Sequence, residues 1–442
     1  MERGAKLLSC EWHNGPKAEG LWLNGPKPVT RKQFEAAVRK LDPLEEVHQL
    51  LSKEQYGAVL NLVHHHGLDP NTVLYHRPLI VHLLTPQAGK ASGVLPTEAI
   101  IALLQAGARP DPLALVTRMP GFTGSVPSRF GLRGSEDLGG GLRAGFTLES
   151  GFGADTGSFN QGNRLFGRQA FVNLSGNWGS VMLGRQYTML FHGLLGSDIL
   201  GPNAFGSGSL DVYIPNARTD NAIGYLGTFS GVTVGGTYST GRDASTAGNP
   251  GGTNCGGENA TDKKACREWS ALLKYDSPSW GAALAVDEIR GGAGSWAPAG
   301  LISSDLTDRR ISLGAYAKVA GVKLGAGLLS RDNDGSGALK KDGTAAKRSD
   351  MWYVGAAYPV TPKVTVDGQV FHLKYKDSAN KSLMFALRGT YALSKRTAVY
   401  ATAGSIDNSG TQTLSVSNAA AGGTTVAGGN QIGLATGIRH SF

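Results

Sequence analysis

Gln431-Ile-Gly-Leu-Ala-Thr-Gly-Ile-Arg-His-Ser-Phe442 closes the chain with a strict alternation of side chains. Ile432, Leu434, Thr436, Ile438, His440 and Phe442 fall on one face of an extended strand, with Gln431 and Arg439 on the other. The same period runs upstream. Leu383, Phe385, Leu387 and Tyr391 oppose Arg388 and Thr390. Val364, Val366 and Val370 oppose Thr365, Asp367 and Gln369, while Val322, Leu324, Ala326 and Leu328 alternate with Lys323, Gly325, Gly327 and Arg331. A soluble sandwich of two sheets would alternate in the same way, so period alone leaves two architectures open.

Punctuation separates them. Tight connections fall near Leu138-Gly-Gly-Gly141, Ser175-Gly-Asn-Trp-Gly179, Gly231, Ser277-Pro-Ser279, Gly321, Thr361-Pro362 and Ser394-Lys395. Between them lie long polar stretches at 241–265, 291–308, 332–347 and 407–428. Short turns at one end and long loops at the other belong to a transmembrane β-barrel. Roughly fifteen strand candidates run from 126 to 442. Trp352, Tyr358, Tyr391, Tyr400 and Phe442 are placed near strand ends, where aromatic girdles meet the lipid interface.

Composition agrees. Nowhere do about 18 apolar residues run together, which excludes a transmembrane helix but not a barrel, whose strands show only alternate residues to lipid. The chain has 442 residues, 40% hydrophobic and 17% charged, with 64 glycines concentrated in its larger C-terminal part. Its net charge of +9 comes from lysines and arginines scattered along strands, not clustered with aromatics, so nucleic acid is not an expected partner. No grouping of residues suggests a catalytic centre, a metal site or a cofactor.

Several motifs carry a family resemblance. Ser128-Arg-Phe-Gly-Leu-Arg-Gly-Ser-Glu-Asp-Leu-Gly-Gly-Gly-Leu-Arg143 resembles the second hairpin of the general diffusion porins of β-proteobacteria. Arg164-Leu-Phe-Gly-Arg-Gln-Ala-Phe-Val172 and Gly179-Ser-Val-Met-Leu-Gly-Arg-Gln-Tyr187 are similar to the next hairpin. Gly437-Ile-Arg-His-Ser-Phe442 resembles the family's C-terminus, where a terminal Phe is the assembly signal; Phe442 takes that role here. The resemblance covers residues 126–442. It implies a sixteen-stranded barrel in outer-membrane lipid and lipopolysaccharide, inserted by the outer-membrane assembly machinery. It also implies a homotrimer, with the third loop folded inward to narrow a pore for small hydrophilic solutes.

Charge has a preferred side in such a barrel. An arginine facing lipid at mid-membrane costs about 2–4 kcal/mol, whereas a wet lumen accepts it. Arg129, Arg168 and Arg218 match the arginines on the basic side of the constriction in related porins, and Arg133 and Arg143 share the inward parity of their strands. The inward loop corresponds to 188–217, with Asp198 and Asp211 as its acids. Related loops carry Pro-Glu-Phe-Gly-Gly; Gly201-Pro-Asn-Ala-Phe-Gly206 lacks the glutamate. Excess basic charge implies mild anion selectivity.

The first 118 residues read differently, as a small α-helical segment. Tyr56-Gly-Ala-Val-Leu-Asn-Leu-Val-His-His-His-Gly-Leu-Asp-Pro-Asn71 is similar to the second helix and turn of an ankyrin repeat, and Arg77-Pro-Leu-Ile-Val-His-Leu-Leu84 to its opening helix. Ala99-Ile-Ile-Ala-Leu-Leu-Gln-Ala-Gly-Ala-Arg-Pro-Asp111 repeats the pattern. Gly67 and Gly107 stand 40 apart, against a usual repeat of about 33. His64, His65 and His66 sit in the amphipathic helix, an arrangement with no metal role.

The expected organisation is therefore 1–118, an ankyrin-like helical segment with a protein partner, and 119–442, an all-β porin barrel. The family's first strand has no counterpart before Ser128, and Met1–Cys10 lacks the apolar core of a signal peptide. Export of the chain as written is therefore not expected. Two functions stand side by side: an outer-membrane channel, or a non-exported fusion product whose ankyrin-like part binds protein. Cys255 and Cys266 share one long loop and could form a disulfide, leaving Cys10 alone.

Overall fold

A computed structural model describes residues 73–74, 77–78, 123–241, 255, 259–292, 300–417 and 423–442. The chain divides into two units, Met1–Leu115 and Val116–Phe442. In the first, Val73–Leu74 pairs antiparallel with Arg77–Pro78. Arg77 and Pro78 are thus extended and do not open a helix, because a residue ahead of proline is pushed out of the helical region. The rest of the ankyrin-like reading, with Gly67, Gly107, the three histidines and Cys10, lies outside the described residues.

The second unit is one antiparallel sheet. Its strands are β1 (Arg129–Gly139), β2 (Leu142–Gly151), β3 (Gln169–Gly176), β4 (Gly179–Tyr187), β5 (Arg218–Thr219), β6 (Ala222–Phe229), β7 (Val232–Ser239) and β8 (Glu268–Asp276). There follow β9 (Trp280–Arg290), β10 (Thr307–Val319), β11 (Val322–Asn333), β12 (Arg348–Pro359), β13 (Val364–Tyr375), β14 (Lys381–Ala392), β15 (Thr397–Ser409) and β16 (Asn430–His440). Strands adjacent in sequence pair throughout, except that β5 and β6 both pair with β4. Sixteen described strands thus fill fifteen places. The sheet is not closed: among the described residues β1 and β16 are its ends and do not pair with each other.

Local chemistry accounts for this meander. At the short-turn end, Ser230-Gly231 and Ala320-Gly321 both place two consecutive residues at positive φ, 51° and 86° in the first and 50° and 81° in the second. Two-residue turns of that hand match the twist of the strands they join. The opposite end carries the long connections 152–168, 188–217, 240–267, 291–306, 334–347 and 410–429; only 376–380 is short there. Strands β10 to β15 are 12 or 13 residues long. Such a strand extends about 40 Å and, tilted by about 45°, spans about 28 Å, close to a hydrocarbon layer of about 30 Å.

The faces are inverted relative to a water-soluble protein. On β14, Leu383 and Phe385 are about half exposed, while Ser382, Met384 and Ala386 are fully buried. An apolar outer surface of this extent would aggregate in water and is at home in lipid. Trp352, Tyr358 and Tyr391 lie on that surface. Tyr400 does not. It shares the inward parity of buried Thr402, and its hydroxyl lies against Gly437.

Burial is concentrated inside the sheet, where the 188–217 connection folds inward as α1 (Met189–Leu194), α2 (Ser207–Leu210) and a 3-10 turn at Ile214–Asn216. Leu190, Leu194, Leu200, Phe205, Leu210, Tyr213 and Ile214 form one core with inward Ile289, Leu329, Met351, Phe371, Met384 and Ile406. The inner wall is therefore apolar where the loop lies against it, not polar throughout. Gly314 and Gly325 permit the close approach, since a Cβ at either would collide with Ser197.

Candidate pore constriction

The root of the inward loop joins the basic residues. Arg168 donates through Nε to Glu149 Oε1 (2.7 Å) and through Nη2 to the Tyr187 hydroxyl (2.7 Å). Arg218 donates to the same hydroxyl (2.7 Å) and to the Pro215 carbonyl (2.9 Å), with its guanidinium 4.3 Å from the Tyr187 ring centre. Arg129 approaches the other oxygen of Glu149 at 3.6 Å. Three guanidinium groups thus gather around one carboxylate and one phenol.

These arginines differ in exposure. Arg168 and Arg218 are buried, at 5% and 2%, whereas the Arg129 side chain is 44% exposed. Arg168 lies just ahead of β3 and Arg218 opens β5, so neither sits mid-strand. Arg133 is exposed opposite Thr147, two residues along β2 from Glu149. Arg143 is not brought to the cluster. It lies at the short-turn end, 3.9 Å from Asp137.

Tyr187 reaches this site through a local irregularity. Leu183, four residues earlier and of the same parity, faces outward at 52% exposure, yet Tyr187 is buried. Gly184 lies between them at φ 124°, where a Cβ would collide with the Ala170 carbonyl. A glycine accepts such a conformation without strain, and just past it the pairing of β4 with β6 and then β5 slips by one residue, from Leu183 opposite Ile223 to Gln186 opposite Thr219, an irregularity that re-aims side chains.

The loop acids are held elsewhere. Asp211 accepts from Arg310 Nε (2.7 Å) and Nη2 (3.2 Å); Arg310 also donates to Asp308 (2.9 Å), which takes two bonds from Arg331. Burial alone would raise the Asp211 carboxyl, but Arg310 and Arg331 outweigh it and hold the group at about 2. Asp198 accepts from Ser207 Oγ (2.6 Å) and the Gly201 amide (3.2 Å). Burial pushes it up to about 6, against those hydrogen bonds and the Arg388 charge. Neither acid contacts Arg129, Arg168 or Arg218.

Sequence reasoning missed Glu149, Tyr187 and the Asp211–Arg310–Asp308–Arg331 network. Glu149 was within reach, since it shares the inward parity of Arg143 on β2. The network was not, because its partners come from distant segments.

Cys255 and Cys266 are joined by a disulfide between β7 and β8, with Cα atoms 5.2 Å apart. Closing so short a loop stabilises by about 2–3 kcal/mol in the chain-entropy account. Unreduced mass spectrometry of outer-membrane material should yield the linked peptide pair; free thiols at both positions would contradict it. Phe442, beyond the end of β16, is fully exposed, with His440 edge-on at 4.7 Å.

Comparison with known proteins agrees with this architecture. Residues 114–411 match the family of Gram-negative porins. Outer membrane porin protein 32 of Delftia acidovorans is 30% identical over 334 residues, covering 73% of this chain and 86% of that protein. An outer membrane porin protein of Bordetella pertussis is 31% identical over 305 residues, covering 62% of this chain and 75% of that protein. The solved structure of an anion-selective porin from Comamonas acidovorans superposes with a TM-score of 0.57 at 27% identity, covering 73% of this chain and 91% of that one. An antiparallel sheet with an apolar outside, one-sided loops and a long loop at 188–217 folded inward, together with these matches, places the chain in the Gram-negative porin family, as an outer-membrane channel for passive diffusion.

Proposed function

We propose that the channel favours anions modestly and that Arg129, Arg168 and Arg218 form the basic side of its constriction. The observation that carries this is the mismatch of fixed charge. Arg129 and Arg168 share the single carboxylate of Glu149 and Arg218 joins them through the Tyr187 hydroxyl, while Asp211 and Asp308 are matched by Arg310 and Arg331. Arg129 is the member that solutes touch; Arg168 and Arg218 act through their field from behind the wall. The anion-selective relative from Comamonas acidovorans points the same way.

The barrel works as a homotrimer in this reading. Lipid and lipopolysaccharide solvate its apolar face, and Phe442 is presented to the assembly machinery. Chemical cross-linking of outer membranes should trap a trimer.

Reversal potentials in planar bilayers under a salt gradient test the charge preference. The expected sign is that of anion selectivity at about 0.1 M salt, weakening at about 1 M as the Debye length falls from about 10 to about 3 Å. Acidification from about pH 7 to about pH 5 neutralises Asp198 and should increase the preference. Cation preference at low salt would overturn the assignment.

A further inference from the structure

Phe205, near the middle of the 188–217 loop, has φ of 62°, a region that bulky L residues rarely enter. Its side chain is nevertheless buried. Two glycines, on β15 and β16, make the slot that holds the ring, and a third, Gly124, lies at its edge. Cβ atoms at Gly404 on β15 and Gly433 on β16 would stand 2.7 and 3.1 Å from it, and one at Gly124, ahead of β1, 3.8 Å. The backbone is tied at the same point. The Phe205 amide donates to the Val416 carbonyl (2.7 Å), which also accepts from Ser209 Oγ (2.6 Å). The Ala204 amide donates to the Thr123 carbonyl (3.0 Å), and Arg388 donates to that of Gly124 (2.9 Å).

Thr123 and Gly124 lead into β1, whereas Gly404, Val416 and Gly433 belong to β15, β16 and their connection. These are the two ends of the sheet, which among the described residues are not paired with each other. One strained residue therefore touches both sides of the seam from within. Strain of this kind persists only where its surroundings over-determine it, and it clusters where a conformation matters.

We infer that Phe205 is a latch: it holds the middle of the loop against both ends of the sheet and so sets the aperture of the pore. The inference rests on the channel reading above. With the ring seated, the segment from Gly201 to Ser209 cannot swing. With the ring out, only three hydrogen bonds, from Ala204 to Thr123 and from Phe205 and Ser209 to Val416, still tie this segment to the ends of the sheet. The loop then keeps Ser197 on Tyr353, Leu200 on Gln369 and Asp211 on Arg310. The arginine cluster is held by Glu149 and Tyr187, outside this segment, so releasing the latch changes size discrimination and keeps the sign of the charge preference.

Two variants of the full chain test this, one on each side of the contact. Phe205→Ala removes the ring; Gly404→Ala puts a methyl group in its place without altering the loop. Folded protein is selected by its heat-modifiable mobility, and if one variant does not fold the other decides. The readouts are single-channel current and the swelling of proteoliposomes in a series of sugars of increasing size. The expected result is loss of the single sharp current level and a shift of the size limit to larger sugars, with a reversal potential of unchanged sign. Wild-type current levels and size limit in the folded variant overturn the latch alone. A changed reversal potential with an unchanged size limit overturns it as well, since Phe205 would then act through charge. Absence of current through the wild-type protein overturns the channel reading and the latch with it.

Discussion

Arg168→Ala should cut the anion-to-cation permeability ratio about fourfold at 0.1 M salt, as judged by Coulomb's law with screening. A unit charge about 6 Å from a permeating ion in water contributes about 0.7 kcal/mol, reduced to about 0.4 kcal/mol by a Debye length of about 10 Å. That is a factor of about two in local anion concentration and the inverse factor for cations, hence about four in their ratio. Loss of Arg168 also leaves Glu149 facing only Arg129, at 3.6 Å, and Gln169. The remaining excess of basic charge in the cluster then rests on Arg218. Arg218→Ala should act in the same direction. At about 1 M salt the wild type and both variants should converge. A reversal potential unmoved by either substitution at low salt would mean that these buried arginines only hold the loop root in place.

Asp211→Asn should lower the unfolding free energy of the refolded barrel by about 3 kcal/mol, the lower end of what breaking a buried ion pair costs. Arg310 is 1% exposed and donates twice to Asp211 and once to Asp308. Removing the Asp211 charge strands part of a guanidinium that water cannot reach. The retained bond to Asp308 keeps the loss from being larger. Replacing both partners, as in Asp211→Asn with Arg310→Met, should recover much of the loss, because an apolar substitute carries no desolvation cost. Denaturant unfolding of the two single variants and the double variant would measure the coupling. Additive losses across that cycle would show that the pair does not anchor the loop.

The two expected results concern different parts of the site, and they differ in how far sequence could reach. The arginines of the first stand in motifs legible in the sequence, such as Arg164-Leu-Phe-Gly-Arg168. Their unequal exposure is not legible there, because parity states which face a residue takes and not what packs over it. Tyr187 shows the stronger limit. Counting by twos from outward Leu183 puts it on the lipid side, but it is buried, past a glycine at positive φ and a one-residue slip in the pairing of β4 with β6 and β5. Arg143 shows the converse. It shares the parity of Glu149, but depth along the strand separates the two by six residues.

What sequence determined by itself was the meander: strand positions, outward faces such as Leu383 and Phe385, and the end of the barrel that carries the long loops. These are properties of period and turn chemistry, which act over a few residues. Tertiary structure alone decided what fills the interior. Asp211 meets Arg310 across 99 residues and Ser209 meets Val416 across 207. It also turned an inner wall expected to be polar into one where Phe371 and Met384 pack beneath the loop. The physical reason is that a strand's alternation records only two environments, inside and outside. Whether inside means water, a buried ion pair or an apolar seat depends on which distant segment folds over it.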